Sequence, residues 1–258
     1  MGAGAALLAR WRYLQDWAGF AARLVAMATF PSAYNHAVRE VLSRQLFFTA
    51  WEVLGGIAVF SGAFTGLVAH MVAQVAQPFG LQLTGGELVL RLVSLEAVPL
   101  GVALFVALRT SAAMNAEVAL MSQRGEAAAW QRLGLDPVQL EYLPRLVGGV
   151  ISLLALTLVG VAVSVAVLQA SVAYSPAWHI ALAEWWPMMA RAFTPAVLLG
   201  LVLKSLAFGL IVTTLPLFEG AKTPAQPHMV PVSVLRGMVR VFVGVVVVWL
   251  AWLVVRYV

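Results

Sequence analysis

The stretch from Leu88 to Ala112, LVLRLVSLEAVPLGVALFVALRTSA, decides the fold. An α-helix rises about 1.5 Å per residue, so crossing the hydrocarbon core of a bilayer takes roughly 20 mostly apolar residues. This stretch reaches that length with Glu96 as its one carboxylate. The core of a soluble domain has no need of an apolar helix so long, and the rest of the chain repeats the pattern.

Further apolar spans are expected at Phe47–Ala73, Leu146–Val172, Phe193–Leu217 and Val239–Val255. The 258 residues are 62% hydrophobic and 10% charged, with a mean hydropathy of +0.92. An ordinary soluble domain is about half apolar and a quarter charged. The expectation is an all-α membrane protein forming a single transmembrane domain over residues 1–258, with about five transmembrane helices. The formal charge of +5 comes from few residues. It reads as topology and attraction to lipid headgroups; nucleic-acid binding would call for a dense basic face. With no cysteine there are no disulfides and no thiolate metal sites.

Residues 1–45 precede the first span. Leu7, Trp11, Leu14, Ala18, Ala21 and Val25 recur at three-to-four spacing, interleaved with Arg10, Arg12, Asp16 and Arg23. This pattern fits an amphipathic helix lying in the membrane interface, or alternatively a first buried helix of the bundle. The run Ala6–Leu8 is too short for the core of a signal peptide, so the amino terminus is expected to be retained. Lys and Arg collect in cytoplasmic loops. Arg10, Arg12, Arg23, Arg39 and Arg44 precede the first span, and Arg124, Arg132 and Arg145 follow the second, which places the amino terminus in the cytoplasm. The connections near Gln77–Gly86 and Tyr174–Pro187 hold no Lys or Arg; Arg256, at the far end, runs against the pattern.

Charged side chains inside spans cost about 2.5–3.5 kcal/mol each at a helix centre, so each calls for a reason. Glu96 is the clearest. Pro99, three residues on, frees a backbone carbonyl and kinks the helix. Glu96 then either faces a substrate cavity or a subunit interface, or supports the kink as a neutral hydrogen-bonded group. Lys204, the intramembrane cation of the fourth span, either pairs with a carboxylate such as Glu96 or runs its stem toward an interface. Arg109 and Glu117 lie about two turns apart on one helical face, as a solvated ion-pair face or as a structural clamp. His70 reads as an interfacial polar residue, since no ligand partner stands at metal spacing on its helix. Gly62 and Gly66 offer a bare face for close helix packing.

Residues 117–145 gather much of the chain's charge: Glu117, Arg124, Glu126, Arg132, Asp136, Glu141 and Arg145 alternate with Met121, Trp130, Leu133, Leu135 and Leu140. The pattern predicts a short cytoplasmic helix ending near Gly134, with a turn at Asp136–Pro137 that starts the next segment. Such a segment is built to meet another protein, or is a soluble connector. The chain carries no GxxxxGK[ST], HExxH or GxSxG motif, so any energy source is expected in a partner or an ion gradient.

Ser61-Gly62-Ala63-Phe64-Thr65-Gly66-Leu67-Val68 and Phe79-Gly80 resemble the first span and following loop of the MlaE-type (YrbE-type) lipid-transport permeases. Glu96 with Pro99, Arg109, Ser111, Ala116-Glu117, Met121, Leu133-Gly134-Leu135-Asp136-Pro137 and Pro144-Arg145 keep the order of that family's second span and coupling segment. Leu203-Lys204-Ser205, Phe218 and Gly220 resemble its fourth span and exit. The resemblance implies an MlaE-like permease fold in the bacterial inner membrane. It further implies a dimer, expected to be a homodimer, driven by a separate cytoplasmic ABC ATPase that binds the ATP, so that the chain itself needs no cofactor and is not an enzyme. Phospholipid would pass to a periplasmic MCE-domain protein. Residues 117–145 would then carry the coupling helix, with Arg109, Glu117, Arg132, Leu133, Asp136 and Pro137 as coupling candidates. Glu96 would lie by the lipid cavity, and Leu67, Met71, Gln74 and Val75 are placed by their facing as its apolar wall.

The chain also departs from the family. The arginine expected just before the glutamate is Leu95, the glycine before the proline is Val98, and Pro224, Pro227, Pro231 and Val234-Leu235-Arg236 replace a small-residue loop. Two other readings stand beside the permease: an ion-coupled secondary transporter using Glu96 and Lys204, and a non-transporting membrane scaffold.

Overall fold

The computed structural model describes every residue except 1–2, 35, 179, 225, 227 and 258. Pro227 thus lies outside the described residues, as do the side chains of Leu7 and Arg44. Among the described residues the chain is helical throughout. Helix α1 spans Ala3–Thr29 and α2 spans His36–Leu46. Five long apolar helices follow the hydropathy closely: α3 (Thr49–Phe79), α4 (Gln82–Gln123), α6 (Val138–Tyr174), α8 (Pro195–Ala221) and α9 (Met229–Tyr257). Two short helices join them, α5 (Glu126–Arg132) and α7 (Leu182–Ala192).

Helices α4 and α6 form the middle of the bundle. α6 packs against α2, α3, α4 and α8, while α4 also meets α8 and α9. Small polar residues bind these spans where lipid offers no hydrogen bonds. Ser164 of α6 meets Thr65 of α3 at 2.7 Å and Ser94 of α4 at 2.6 Å, and Ser111 Oγ donates to the Val212 carbonyl of α8 at 2.6 Å. Gly62 and Gly66 face the side chains of Val163 and Val167, where a Cβ would make only ordinary contact. Closer backbone approaches lie elsewhere, at Gly220 of α8, where a Cβ would stand 2.8 Å from the Asn115 carbonyl oxygen of α4, and at Gly209, where it would stand 3.0 Å from the Val150 Cα of α6.

Helix α1 reconciles the two readings of its pattern. Trp11, Leu14 and Val25 of the expected stripe are exposed, while a neighbouring stripe of Tyr13, Trp17, Phe20 and Leu24 docks on the bundle. Trp17 Nε1 donates to Thr214 Oγ1 at 3.2 Å, and the Phe20 and Phe218 rings lie 5.5 Å apart. The first 45 residues are two helices, because Pro31 starts a separate 3-10 turn after Thr29 and α2 runs on toward α3 through a π-helical turn at Phe47–Trp51.

Several boundaries differ from expectation: α4 reaches from Gln82 to Gln123, beyond Leu88–Ala112 at both ends, and α6 begins at Val138, earlier than Leu146. α9 begins at Met229, earlier than Val239, because Pro231 sits in the first turn, where a missing N–H costs nothing. The connection after Tyr174 contains α7, with Trp185 and Met188 buried and Pro187 inside it. It is tied to the start of α4 through Glu87, which meets Arg91 at 2.8 Å and Arg191 at 3.6 Å.

Candidate functional site

Glu96 stands near the end of a π-helical stretch, Val89–Ala97, that hands over to an α-helix at Val98. A π turn is rare and tends to occur at functional positions. Pro99 lies just after it and has no N–H for the carbonyl of Leu95, the acceptor one α-turn back. Lys204 of α8 takes that place. Its ammonium donates to the Leu95 carbonyl at 2.5 Å and to Glu96 Oε2 at 2.8 Å. The other carboxylate oxygen, Oε1, accepts from Arg256 Nη1 of α9 at 2.7 Å.

Three spans therefore meet on one carboxylate. Glu96 and Lys204 are 2% and 1% exposed, so water screens little of their attraction. Of the alternatives open for Lys204, the buried pairing with Glu96 is the one found. Leu95 leaves no arginine beside Glu96 in sequence, and Arg256 brings one from the last helix. The same contact accounts for an arginine at an end of the chain where topology did not ask for one.

Leu67, Met71, Gln74 and Val75 share the outward face of α3, all four exposed. Within the chain the structure does not bring them to Glu96, which faces inward toward α8 and α9. His70 is exposed on the same helix.

Arg109 and Glu117 do not bond to each other. A π-helical turn at Ala107–Ser111 changes their phase, and each reaches across to another helix. Arg109 pairs with Glu52 of α3, and Glu117 with Arg145 of α6 at 3.2 Å, where Glu141 also binds at 2.8 Å. They act as clamps between helices.

Arg132, Leu133 and Asp136 are exposed at the end of α5 and the turn beyond it. Leu133 is 74% exposed and Leu135, two residues on, 46%. Gly134 takes a φ of +73°, a conformation open to glycine, and the Leu135 N–H returns to the Trp130 carbonyl at 3.0 Å, closing the helix. Asp136 Oδ1 accepts from the Val138 N–H at 2.9 Å and so starts α6, with Pro137 buried between. The turn is held by its own hydrogen bonds while its side chains stay available.

A second cluster has no counterpart in the sequence reading. Glu219, near the end of α8, accepts from Tyr13 of α1 and from Arg240 of α9. The Arg240 guanidinium lies 3.9 Å from the Tyr13 ring centroid, and Lys222 pairs with Asp16 of α1 at 2.8 Å. Burial, reinforced by the hydrogen bond to Glu219, pushes the Tyr13 hydroxyl well above the usual phenol range. The available signal was a carboxylate and an arginine flanking the turn between two apolar spans, each too costly there to stand alone. Beside them, Asn115 of α4 donates to the Ser233 carbonyl at 3.3 Å, and Gln123 to the Gln226 carbonyl at 2.8 Å. This cluster and residues 117–145 therefore occupy the same end of the bundle. A family model described as Permease MlaE matches residues 42–255 of the chain.

Proposed function

The chain belongs to the MlaE permease family, a multi-pass membrane protein of the lipid-transporting ABC permease type, and from that premise we propose its part in transport. It moves phospholipid or a similar lipid between the bacterial inner membrane and a periplasmic MCE-domain protein. A separate cytoplasmic ATPase supplies the energy and binds the ATP, and two copies of the chain make the permease. The amino terminus and residues 117–145 face the cytoplasm, so Arg132, Leu133 and Asp136 meet the ATPase, Glu117 and Pro137 hold that segment to the bundle, and Arg109 fixes the helix leading into it to α3. The exposed faces of Leu67, Met71, Gln74 and Val75 line the lipid path between the two copies, with Glu96 behind them as the polar anchor of the spans.

The observation that supports this reading is the turn at Leu133–Pro137: closed by its own hydrogen bonds, with Leu133 and Asp136 exposed, and continuous with the start of α6. A force applied there passes directly into a central span. The ion-coupled alternative needs a carboxylate free to load an ion, yet both oxygens of Glu96 are already taken by Lys204 and Arg256.

The test is a reconstituted complex with its ATPase subunit, scored for lipid-stimulated hydrolysis. Asp136→Arg and Arg132→Glu are expected to lower that stimulation about tenfold or more while leaving the permease folded, since both side chains are exposed. Full stimulation in both variants, or gradient-driven uptake by the permease alone, would reject the reading.

A further inference from the structure

Where α8 ends and α9 begins, the bundle opens into a pocket of about 260 Å³. Its position beside α1 and beside the end of α4 puts it away from Glu96. Three cations line it, Lys222, Arg236 and Arg240, together with the carboxylate of Glu219. Arg240 is paired with Glu219 and Lys222 with Asp16. Three cations against those two carboxylates leave one positive charge without a partner, and it belongs to Arg236, which is exposed and makes no ion pair or hydrogen bond among the described residues.

An arginine left open beside a lysine and a second arginine is suited to a phosphate, whose oxygens accept its two parallel N–H bonds. The pocket's apolar side says what is attached to that phosphate. Val232 lies in the wall, and Leu235, Val239 and Val243 continue from it along α9, 68%, 55% and 57% exposed. These positions follow helical spacing, so they form one apolar strip leading from the cationic pocket along a span. A headgroup bound at Arg236 would have its acyl chains against that strip.

We propose that this pocket binds the phosphate of an anionic phospholipid at the membrane surface, as a site separate from the lipid path and independent of the ATPase. Lys222 and Arg240 contribute field and Arg236 makes the direct contact. Glu219 stays bonded to Tyr13 and Arg240, so binding joins α1, α8 and α9 through one ligand.

The test uses the full chain in detergent micelles supplied with phosphatidylglycerol or phosphatidylcholine, with bound lipid counted by native mass spectrometry. Phosphatidylglycerol is expected to be retained in preference to phosphatidylcholine, and Arg236→Gln to weaken its retention about tenfold, as loss of a bidentate charge-assisted contact should. Lys222→Gln should weaken it less. Arg23→Gln removes the same charge from an exposed position elsewhere on α1 and should leave retention close to the parent. Equal retention by Arg236→Gln and the parent, or equal losses from Arg236→Gln and Arg23→Gln, would overturn the proposal. Glycerol 3-phosphate added to the lipid-free micellar protein separates the sources: binding as tight as that of phosphatidylglycerol, and dependent on Arg236, would keep the phosphate site and overturn the lipid as its occupant.

Discussion

Glu96 and Glu219 each hold an arginine from α9 and a polar group from a second helix, yet their surroundings differ. Glu96 is closed in by three spans, with Lys204 almost without solvent contact. Glu219 lies beside an open pocket, and its arginine side chain is 36% exposed. In the first cluster a lost partner leaves a charge that nothing replaces. In the second, water can enter. The same residue types thus serve as a fixed joint between spans at one level of the bundle and as an adaptable joint to α1 at its end.

The comparison predicts unequal costs. Lys204→Met should be the most damaging change, because it strands the Leu95 carbonyl and half of the Glu96 carboxylate. Breaking one side of a buried pair costs about 3–5 kcal/mol, measurable as a loss of unfolding free energy in mixed micelles. Adding Glu96→Gln to Lys204→Met should cost less than the two single losses summed, since the contact between the two side chains is already broken, while Arg256 loses its anion. A double variant as unstable as the sum of its parts would mean that the two side chains are not coupled.

Glu219→Gln should cost less, about 1–3 kcal/mol, as one charged acceptor is weakened where solvent can substitute. A loss matching that of Lys204→Met would erase the distinction between the clusters. Tyr13→Phe should be smallest, about 0.5–1.5 kcal/mol for a single hydrogen bond.

The Tyr13 contact also has a pH signature. Its hydroxyl is raised in the folded chain, so the stability it contributes is fully present below the ordinary phenol value of about 10 and is lost as pH rises through the folded value. The difference in stability between the parent chain and Tyr13→Phe should therefore shrink as the solution becomes strongly alkaline. Phenolate absorbance should show fewer tyrosines titrating in the normal range than the sequence contains, and Tyr13→Phe should leave that number unchanged, because the phenol it removes is not among them. A full complement of normal tyrosines would remove the contact.

Hydropathy made the five spans legible because insertion into lipid depends on summed local composition, which a sequence displays directly. The match of α3, α4, α6 and α8 to the expected positions reflects that. Asp136, Pro137 and Gly134 were legible for a related reason, since turn chemistry is local. Arg256 was not: its partner lies 160 positions away, and no local pattern distinguishes an arginine at a span's end from one that folds back onto a carboxylate. Tyr13 escaped for the same reason, with 206 positions between it and Glu219. Pro187 hid α7, because a proline inside an apolar stretch reads as a stop, whereas burial of Trp185 and Met188 outweighs the hydrogen bond it removes. The four α3 positions show the opposite limit, since periodicity gives the face they share but not what covers it.

Pro99 and Lys204 sit on different helices, yet the capture of the Leu95 oxygen ties the lysine's inheritance to the proline's. Were a lineage to replace the proline with an ordinary residue, the ladder would reclaim that oxygen and the lysine would lose one of its two anchors. It would then be held by Glu96 alone. Lineages that keep the proline should accordingly keep the lysine, whereas those that lose the proline need the lysine only for the carboxylate.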